Sequence, residues 1–517
     1  MSPNCSPETI QPPEDIGRHL DVSSESAEMA TRSDDTLVCC GEPQESGSDD
    51  QTHNEKANHS RPPCRPHSHH RLCATVDTLT VVKRGRTNFA PAKQTLLKNS
   101  LLGIVGFLEL ANAGDFAANV WNEVPVPAYA VALMAVGGIF ALLMSVFAFR
   151  DALLSLPDVC VLLEQCRRLR HERVERLKEE DGSRKQQTLD VDVLLDVVWR
   201  ELGTETISRF GLDLLLGAGA VMIGVGTLMA IGGTDKKVWF ASNLLSGYVG
   251  NAPLALYALI NSAWACYICL KARQHWAAAA ASLERKREKG RGLDEQDHPA
   301  WAAVRRRARN MQLYSAITGV ASILGGVGSL MTATMWYGYA ILIPVIISSV
   351  LCNVWWRHGL GYDRPLFGDD ARDMSAASLM SEIEYVALAQ DAFKRGQAMA
   401  DGELGADLES LESVLGLIVA NDLFEDFCLR LLRDKELATG LFPLDHASFT
   451  IEAAGLLEAA RKQHAGCVLS AAKKCVREDG LRRFQSRERY LAEALMTFLY
   501  ISHLGAWRRC SGPALHV

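Results

Sequence analysis

A carboxylate inside an apolar segment is the first place to look for chemistry, because burying a charge in lipid is costly unless it pairs or meets water. Glu109 lies in such a segment, LLGIVGFLEL, with Asn112, Asp115 and Asn119 after it. On a helix these four share about a third of the circumference. Asp213 sits just inside another apolar run, and Asn243, Asn251 and Asn261 in the next fall within about 80° of one another. Together these residues could form a proton or cation site, carboxylates supplying charge and amides supplying ligands. They could equally sit near a water boundary and hold helices together. The apolar runs lack paired carboxylates, His clusters and an activated nucleophile. No phosphate-binding loop, zinc-peptidase signature, nucleophile elbow or nucleic-acid module occurs. The expectation is therefore a non-enzymatic protein with no catalytic residue, cofactor or metal centre, and no nucleic-acid partner. The tract His53, His59, Cys64, His67, His69, His70 and Cys73 fits no finger or ribbon spacing and reads as solvated polar tail.

The element that must position these groups is a membrane bundle. Met311 to Trp356 runs 46 residues without Asp, Glu, Lys, Arg or His. As one helix it would measure about 69 Å, more than twice a ~30 Å hydrocarbon core, so it must cross twice. Trp336-Tyr337-Gly338-Tyr339 supplies the turn, with aromatic rings suited to the water–lipid boundary. The same reasoning predicts an all-α, six-span bundle with spans at about 99–121, 129–149, 210–233, 239–270, 311–335 and 339–356. Pro253 predicts a kink in the long fourth span. Charged helical connections are expected at 150–209 and 271–309, a disordered tail at 1–92, and a soluble helical domain at 366–517 with Ser375 as an N-cap.

Lys plus Arg number 11 in each charged connection and five before the first span, against none, two and none in the alternate connections. Basic loops face the cytosol, which places both termini there, in a plasma or endomembrane. The net charge of −7 says less than this asymmetry. Fourteen Cys without paired spacing read as reduced thiols. The lipid bilayer is the first partner this pattern implies. A cytosolic protein partner of the C-terminal domain is the leading functional expectation: a membrane scaffold or signalling adaptor. The competing expectation is a transporter or channel with Glu109 and the span-four Asn residues along its path.

A repeat runs through the spans. VMIGVGTLMAI begins at Val221 and ILGGVGSLMTA at Ile323. The small-xxx-small pairs Ala220/Gly224 and Ser322/Gly326, with Gly226 and Gly328 beside them, predict close helix packing. Parallel two-helix hairpins would follow from this repeat.

Several strings resemble an uncharacterised family of fungal integral membrane proteins: SGYVGNAP from Ser246, LGYDRP from Leu360, LFEDFC from Leu423 and RFQSRERYLAEAL from Arg483. That resemblance covers roughly 96–507 and implies a multi-pass protein without bringing an activity. Phe424-x-x-Phe427 with Lys435-Glu436-Leu437, and Ala471 to Tyr490, are similar to parts of a regulator-of-G-protein-signalling domain. The similarity implies a Gα-contacting surface. The acidic-amide pair of that family is Lys435-Glu436 here.

Overall fold

The computed structural model describes residues 77–84, 88–121, 125–178, 185–288, 298–332, 334–366, 374–396 and 407–510. All belong to one compact unit, Cys64–Val517. The His/Cys tract and the rest of the tail to residue 76 lie outside the described residues.

Strands come first: β1 (Thr78–Arg84), β2 (Asn88–Pro91) and β3 (Leu96–Leu97). A 3-10 helix (Gly103–Ala113) and α1 (Phe116–Val120) follow. Then come α2 (Ala128–Lys178), α3 (Lys185–Gly203), a π-helix (Thr204–Gly211) and α4 (Leu212–Ala230). The next stretch holds α5 (Lys236–Asn243), a second π-helix (Leu244–Val249) and α6 (Ala252–Glu288). After α7 (Pro299–Thr332) and α8 (Gly338–Trp355), a third π-helix (Trp356–Leu360) leads to β4 (Arg364–Pro365). The C-terminal part holds α9 (Ala376–Lys394), α10 (Leu411–Ala420), α11 (Phe424–Arg433), α12 (Lys435–Leu441), β5 (Ser448–Glu452), α13 (Ala453–Gln463) and α14 (Ala465–Cys510).

Among the described residues five helices are long and apolar enough to cross a membrane: Ala128–Lys178, Thr188–Ala230, Lys236–Arg285, Pro299–Thr332 and Gly338–Leu360. Their large apolar side chains point outward. Val136, Ile139, Leu143 and Val146 make an exposed stripe on α2, as do Ile343, Ile347, Leu351 and Val354 on α8. Such a belt would be a liability in water and suits a lipid solvent. The inner faces are small: Gly138, Ala141, Gly224 and Gly326 let backbones approach closely. At 51 residues, α2 is about 77 Å long, so it must run well past the hydrocarbon. The charged connections predicted at 150–209 and 271–309 are these extensions, with α3 turning back beside α2.

Three expectations need correction. Residues 78–84 and 88–91, expected in the disordered tail, are strands. β1 pairs antiparallel with β2 and with β5, so an all-α fold becomes a mainly helical one with a small sheet. The segment 99–121 is not an α-helical span. It is an eleven-residue 3-10 helix followed by the five residues of α1. A 3-10 rise of about 2.0 Å per residue lets that short apolar string reach as far as a longer α-helix. Finally, residues 366–517 do not form a core of their own. Leu379, Phe424, Phe427, Phe484 and Leu495 share one apolar cluster with Leu162 of α2, Leu194 of α3 and Val304 of α7.

Other expectations meet matching geometry. The Ser375 hydroxyl accepts from the Ser378 N–H at 3.1 Å at the start of α9. Pro253 lies in the first turn of α6, just after a π-helix, where a proline removes no helical hydrogen bond.

Candidate functional site

The predicted polar residues do not meet at one site. Asp115 and Asn119 lie at the end of the bundle that carries aromatic rings. There Phe116 packs edge-on against both Trp121 and Tyr339. Tyr339 donates its hydroxyl to Asp115 at 2.8 Å, and the Asn119 amide donates to Asp115 at 2.9 Å and to the Tyr339 oxygen at 2.8 Å. This closed triangle ties α1 to the start of α8. Asp213 sits at the opposite end of α4, whose 19 residues span about 28 Å. The side chains of Glu109 and Asn112 lie outside the described residues.

The Asn residues divide as well. Asn251 donates to the carbonyls of Ser246 and Gly247, at 3.3 and 2.9 Å, and so satisfies the π-helix that precedes it. Asn243 is half-buried at the end of α5. Asn261 bridges three helices: it accepts from Ser208 Oγ at 2.9 Å and donates to Ser322 Oγ at 2.7 Å. Ser322 is thus a hydrogen-bonding partner more than a packing surface. The remaining packing residues meet neighbours closely. Ala220 is buried beside Leu216 and Ile223. A Cβ on Gly224, Gly226, Gly326 or Gly328 would fall within 3 Å of Leu142, Ser246, Ala258 and Leu342 respectively.

What gathers at the charged end is a network of which a search for polar residues inside apolar runs reaches only Asp213. Arg209, on the first π-helix, is buried and donates through Nε and Nη2 to both oxygens of Asp151, each at 3.2 Å. Its Nη1 donates to Ser100 Oγ at 3.0 Å and to Glu205 at 3.3 Å. Asp158 accepts from Gln94 at 2.6 Å and Ser100 at 3.3 Å. Asp213 is fully buried, and neither oxygen finds a donor among the described residues. Its neighbour is the Asp151 carboxylate. Spacing could have found this cluster: Glu205, Arg209 and Asp213 recur every four residues, and Asp151 and Asp158 are seven apart.

A second ionic group ties α14 to the long helices. Glu493 is buried between Arg200 and Arg307, the latter donating from Nε at 2.7 Å. Burial alone would raise its carboxyl, but the two guanidiniums outweigh that and hold it well below the usual range. Arg364 is wholly buried and donates to Glu201 from Nε at 2.9 Å and from Nη2 at 2.5 Å. Tyr362 donates to the same carboxylate at 2.8 Å. Asp363 accepts from the Asn99 N–H at 2.7 Å. The junction Arg357 to Pro365 therefore locks the last apolar helix to the helices around it.

Two cavities stack along these helices. One, of about 680 Å³, lies among the ions and is lined by Arg200, Thr204, Glu205, Met311, Trp356 and Glu493. The other, of about 700 Å³, is lined one turn further along the same helices by Ser208, Tyr314 and Cys352, and also by Asn261, Ser322 and Ser349. Among the described residues no charged one lines it. Tyr314 and Trp356, with ring centroids 5.1 Å apart, stand between the two. Both π-helices beside the cavities, Thr204–Gly211 and Trp356–Leu360, contribute lining residues. Such register shifts are frequent at functional sites. Among the described residues no group of His, Cys, Asp or Glu is arranged to hold a metal ion.

Among the residues similar to a G-protein regulator, Lys435 and Glu436 are exposed, while others are interior or committed to this chain. Phe424 and Phe427 are fully buried. Arg483 pairs with Asp426 at 3.0 Å and Arg487 with Glu382 at 3.1 Å. No family model, curated protein or solved structure matches the chain.

Proposed function

We propose that this is a six-crossing integral membrane protein, both termini cytosolic, that binds and passes a small uncharged polar solute through its bundle. No catalytic step belongs to this reading. Parity supports the sixth crossing. β1 precedes the apolar segments and β5 follows them, yet they pair in one sheet, so an even number of crossings must separate them. Five come from the long helices. The segment Gly103–Val120 supplies the other: Ser100 before it meets Arg209 and Asp158, and Asn119 at its far end meets Tyr339. Concentration of Lys and Arg at the charged end favours the cytosol for that side.

The observation that carries the solute reading is the stack of two cavities on shared helices. The inner one offers hydroxyls from Ser, Thr and Tyr and the amides of Asn261 and Asn353 against aliphatic walls. That lining suits a neutral molecule with hydroxyl or amide groups, because an ion would find no counter-charge among its described residues. The glycine contacts support a hairpin repeat around this path. Gly224 and Gly326 each face the preceding helix, whereas Gly226 and Gly328 each face the following one.

Cys352 lines the inner cavity and reports on access to it. In full-length protein in nanodiscs, a small water-soluble thiol reagent should modify Cys352, as read by peptide mass spectrometry. Buried Cys475, whose thiol burial and then Asp479 push up to about 12, should stay unmodified. Modification of exposed Cys160 and Cys467 without Cys352 would mean a dry cavity and would sink the reading.

The adaptor reading is favoured by a different feature. A cleft of about 580 Å³ between α11 and α14 carries Arg430, Arg433, Arg482 and Arg483 against Asp426 and Asp479. It suits an acidic segment of a cytosolic protein. Charge reversal at exposed Arg433 should then release a stoichiometric partner that co-purifies with the intact chain.

A further inference from the structure

A separate cleft of about 770 Å³ opens where α7 and the third π-helix meet α9 and α14. Its cations are Arg306, Arg307, Lys394 and Arg489, with His358 beside them, and Glu488 is its one carboxylate. Two of these charges are answered: Arg307 by Glu493, and Arg306 by Glu488 at 3.0 Å. Arg489 is not. It is half-buried and donates only to main-chain oxygens, Gly361 at 2.8 Å and His358 at 2.7 Å, with no carboxylate at ion-pair distance among the described residues. Burial first, then the like charges of Arg307 and Arg306, draws this guanidinium below its ordinary range, against Glu488 and Asp363. Lys394, at the end of α9, also has no ion pair among the described residues. A cleft with two unanswered cations, one of them half-buried, lacks an anion.

Its level in the molecule says which anion. Asn310, in the wall, immediately precedes the uncharged stretch that begins at Met311. His358, in the opposite wall, follows Trp355 and Trp356, which pack with Tyr314 as an aromatic group would at a lipid boundary. Asn310 and Gln485 add amide donors, whereas the Gln390 amide already donates to Glu488 and the Phe484 carbonyl. Guanidinium and ammonium groups with amides around them match the oxygens of a phosphate monoester. We propose that this cleft binds the phosphomonoester headgroup of an anionic membrane lipid, with Arg489 and Lys394 supplying the charge. The inference rests on the five apolar helices and is independent of the solute path.

The test uses full-length protein in phosphatidylcholine nanodiscs, with and without phosphatidylinositol 4-phosphate, and reads the thermal unfolding midpoint. The phosphorylated lipid should raise the midpoint in a dose-dependent way, since a ligand of the folded state stabilises it. Phosphatidylserine, which carries no monoester, should raise it less. Arg489→Gln should abolish the rise. Because Arg489 also tethers main-chain oxygens, Lys394→Gln provides the variant that leaves the fold alone, and it should require roughly fivefold more lipid. No rise, an equal rise with phosphatidylserine, or a rise unaffected by Lys394→Gln would overturn the proposal. A rise of the same size from soluble inositol phosphate in plain nanodiscs would assign the cleft to a free phosphate ligand and overturn its lipid source.

Discussion

Glu493 and Asn261 are both buried polar side chains that join three helices, and they do so by opposite means. Glu493 is an ion clasped by Arg200 and Arg307. Asn261 is a neutral amide clasped by the hydroxyls of Ser208 and Ser322. The first stands where the long helices leave the apolar belt and meet α14, the second inside that belt. An ion pair away from water recovers its desolvation cost only with near-complete partnering, and the charged end supplies enough partners to do so. Deeper in, amides and hydroxyls give smaller bonds at far lower desolvation cost. Polarity thus grades from paired charge to neutral donors along the same helices, which is also the grading of the two cavities.

The largest expected effect breaks the ionic side of this contrast. Glu493→Gln leaves Arg200 and Arg307 buried without their shared counter-ion and should cost about 3–5 kcal/mol, read from chemical unfolding in detergent. Asn261→Ala should cost far less, about 1 kcal/mol. An equal loss in both would erase the difference. Glu493 also fixes a pH dependence. Its folded-state pKa is depressed, so the stabilisation is complete above the unfolded value of ~4.3 and is lost as pH falls below it. An acid titration of stability should therefore steepen below about pH 4.3 in the natural chain, and flatten there in Glu493→Gln.

Asp151 and Asp213 sharpen the contrast within a single cluster. Asp151 receives two bonds from Arg209, whereas Asp213 receives none among the described residues. Asp151→Asn should therefore lower the melting temperature, by an amount corresponding to about 3 kcal/mol. Asp213→Asn replaces a buried carboxyl that faces Asp151 without a donor among the described residues by a neutral amide that can donate to Asp151, and should raise it. If both variants melted lower, a donor to Asp213 would have to exist.

The apolar architecture is legible because its signals are local. Forty-six uncharged residues force a hairpin, and the long apolar helices lie where the uncharged runs do. What stays hidden depends on distant partners. β1 needs β5, about 370 residues away, and nothing in TLTVVKR names that partner. The 3-10 segment reads as α-helix because LLGIVGFLEL shows apolar character and not rise per residue. Asp115 and Asp213 fall on plausible helix faces, but a wheel carries no depth, and α4 holds them at opposite ends. The charged cluster escapes notice because each member sits at the edge of an apolar run, where a solvated side chain is the common outcome. Only the four-residue spacing of Glu205, Arg209 and Asp213 points to a shared face.

Glycines give the smallest test, and they separate the same two regions. Gly137 of α2 lies against the 3-10 segment, where a Cβ would come 2.1 Å from the Gly114 carbonyl oxygen. Main chain cannot give way cheaply, so Gly137→Ala should cost about 1–3 kcal/mol by overpacking. Gly416 of α10, outside the apolar belt, is exposed, and an added methyl group would meet nothing within 4 Å. There an alanine touches no neighbour and loses less backbone freedom on folding, so Gly416→Ala should stabilise by about 0.5–1 kcal/mol. Opposite signs from one substitution, measured by the same melts, would mean that close backbone approach is a demand of the apolar bundle and not of helix packing throughout the chain.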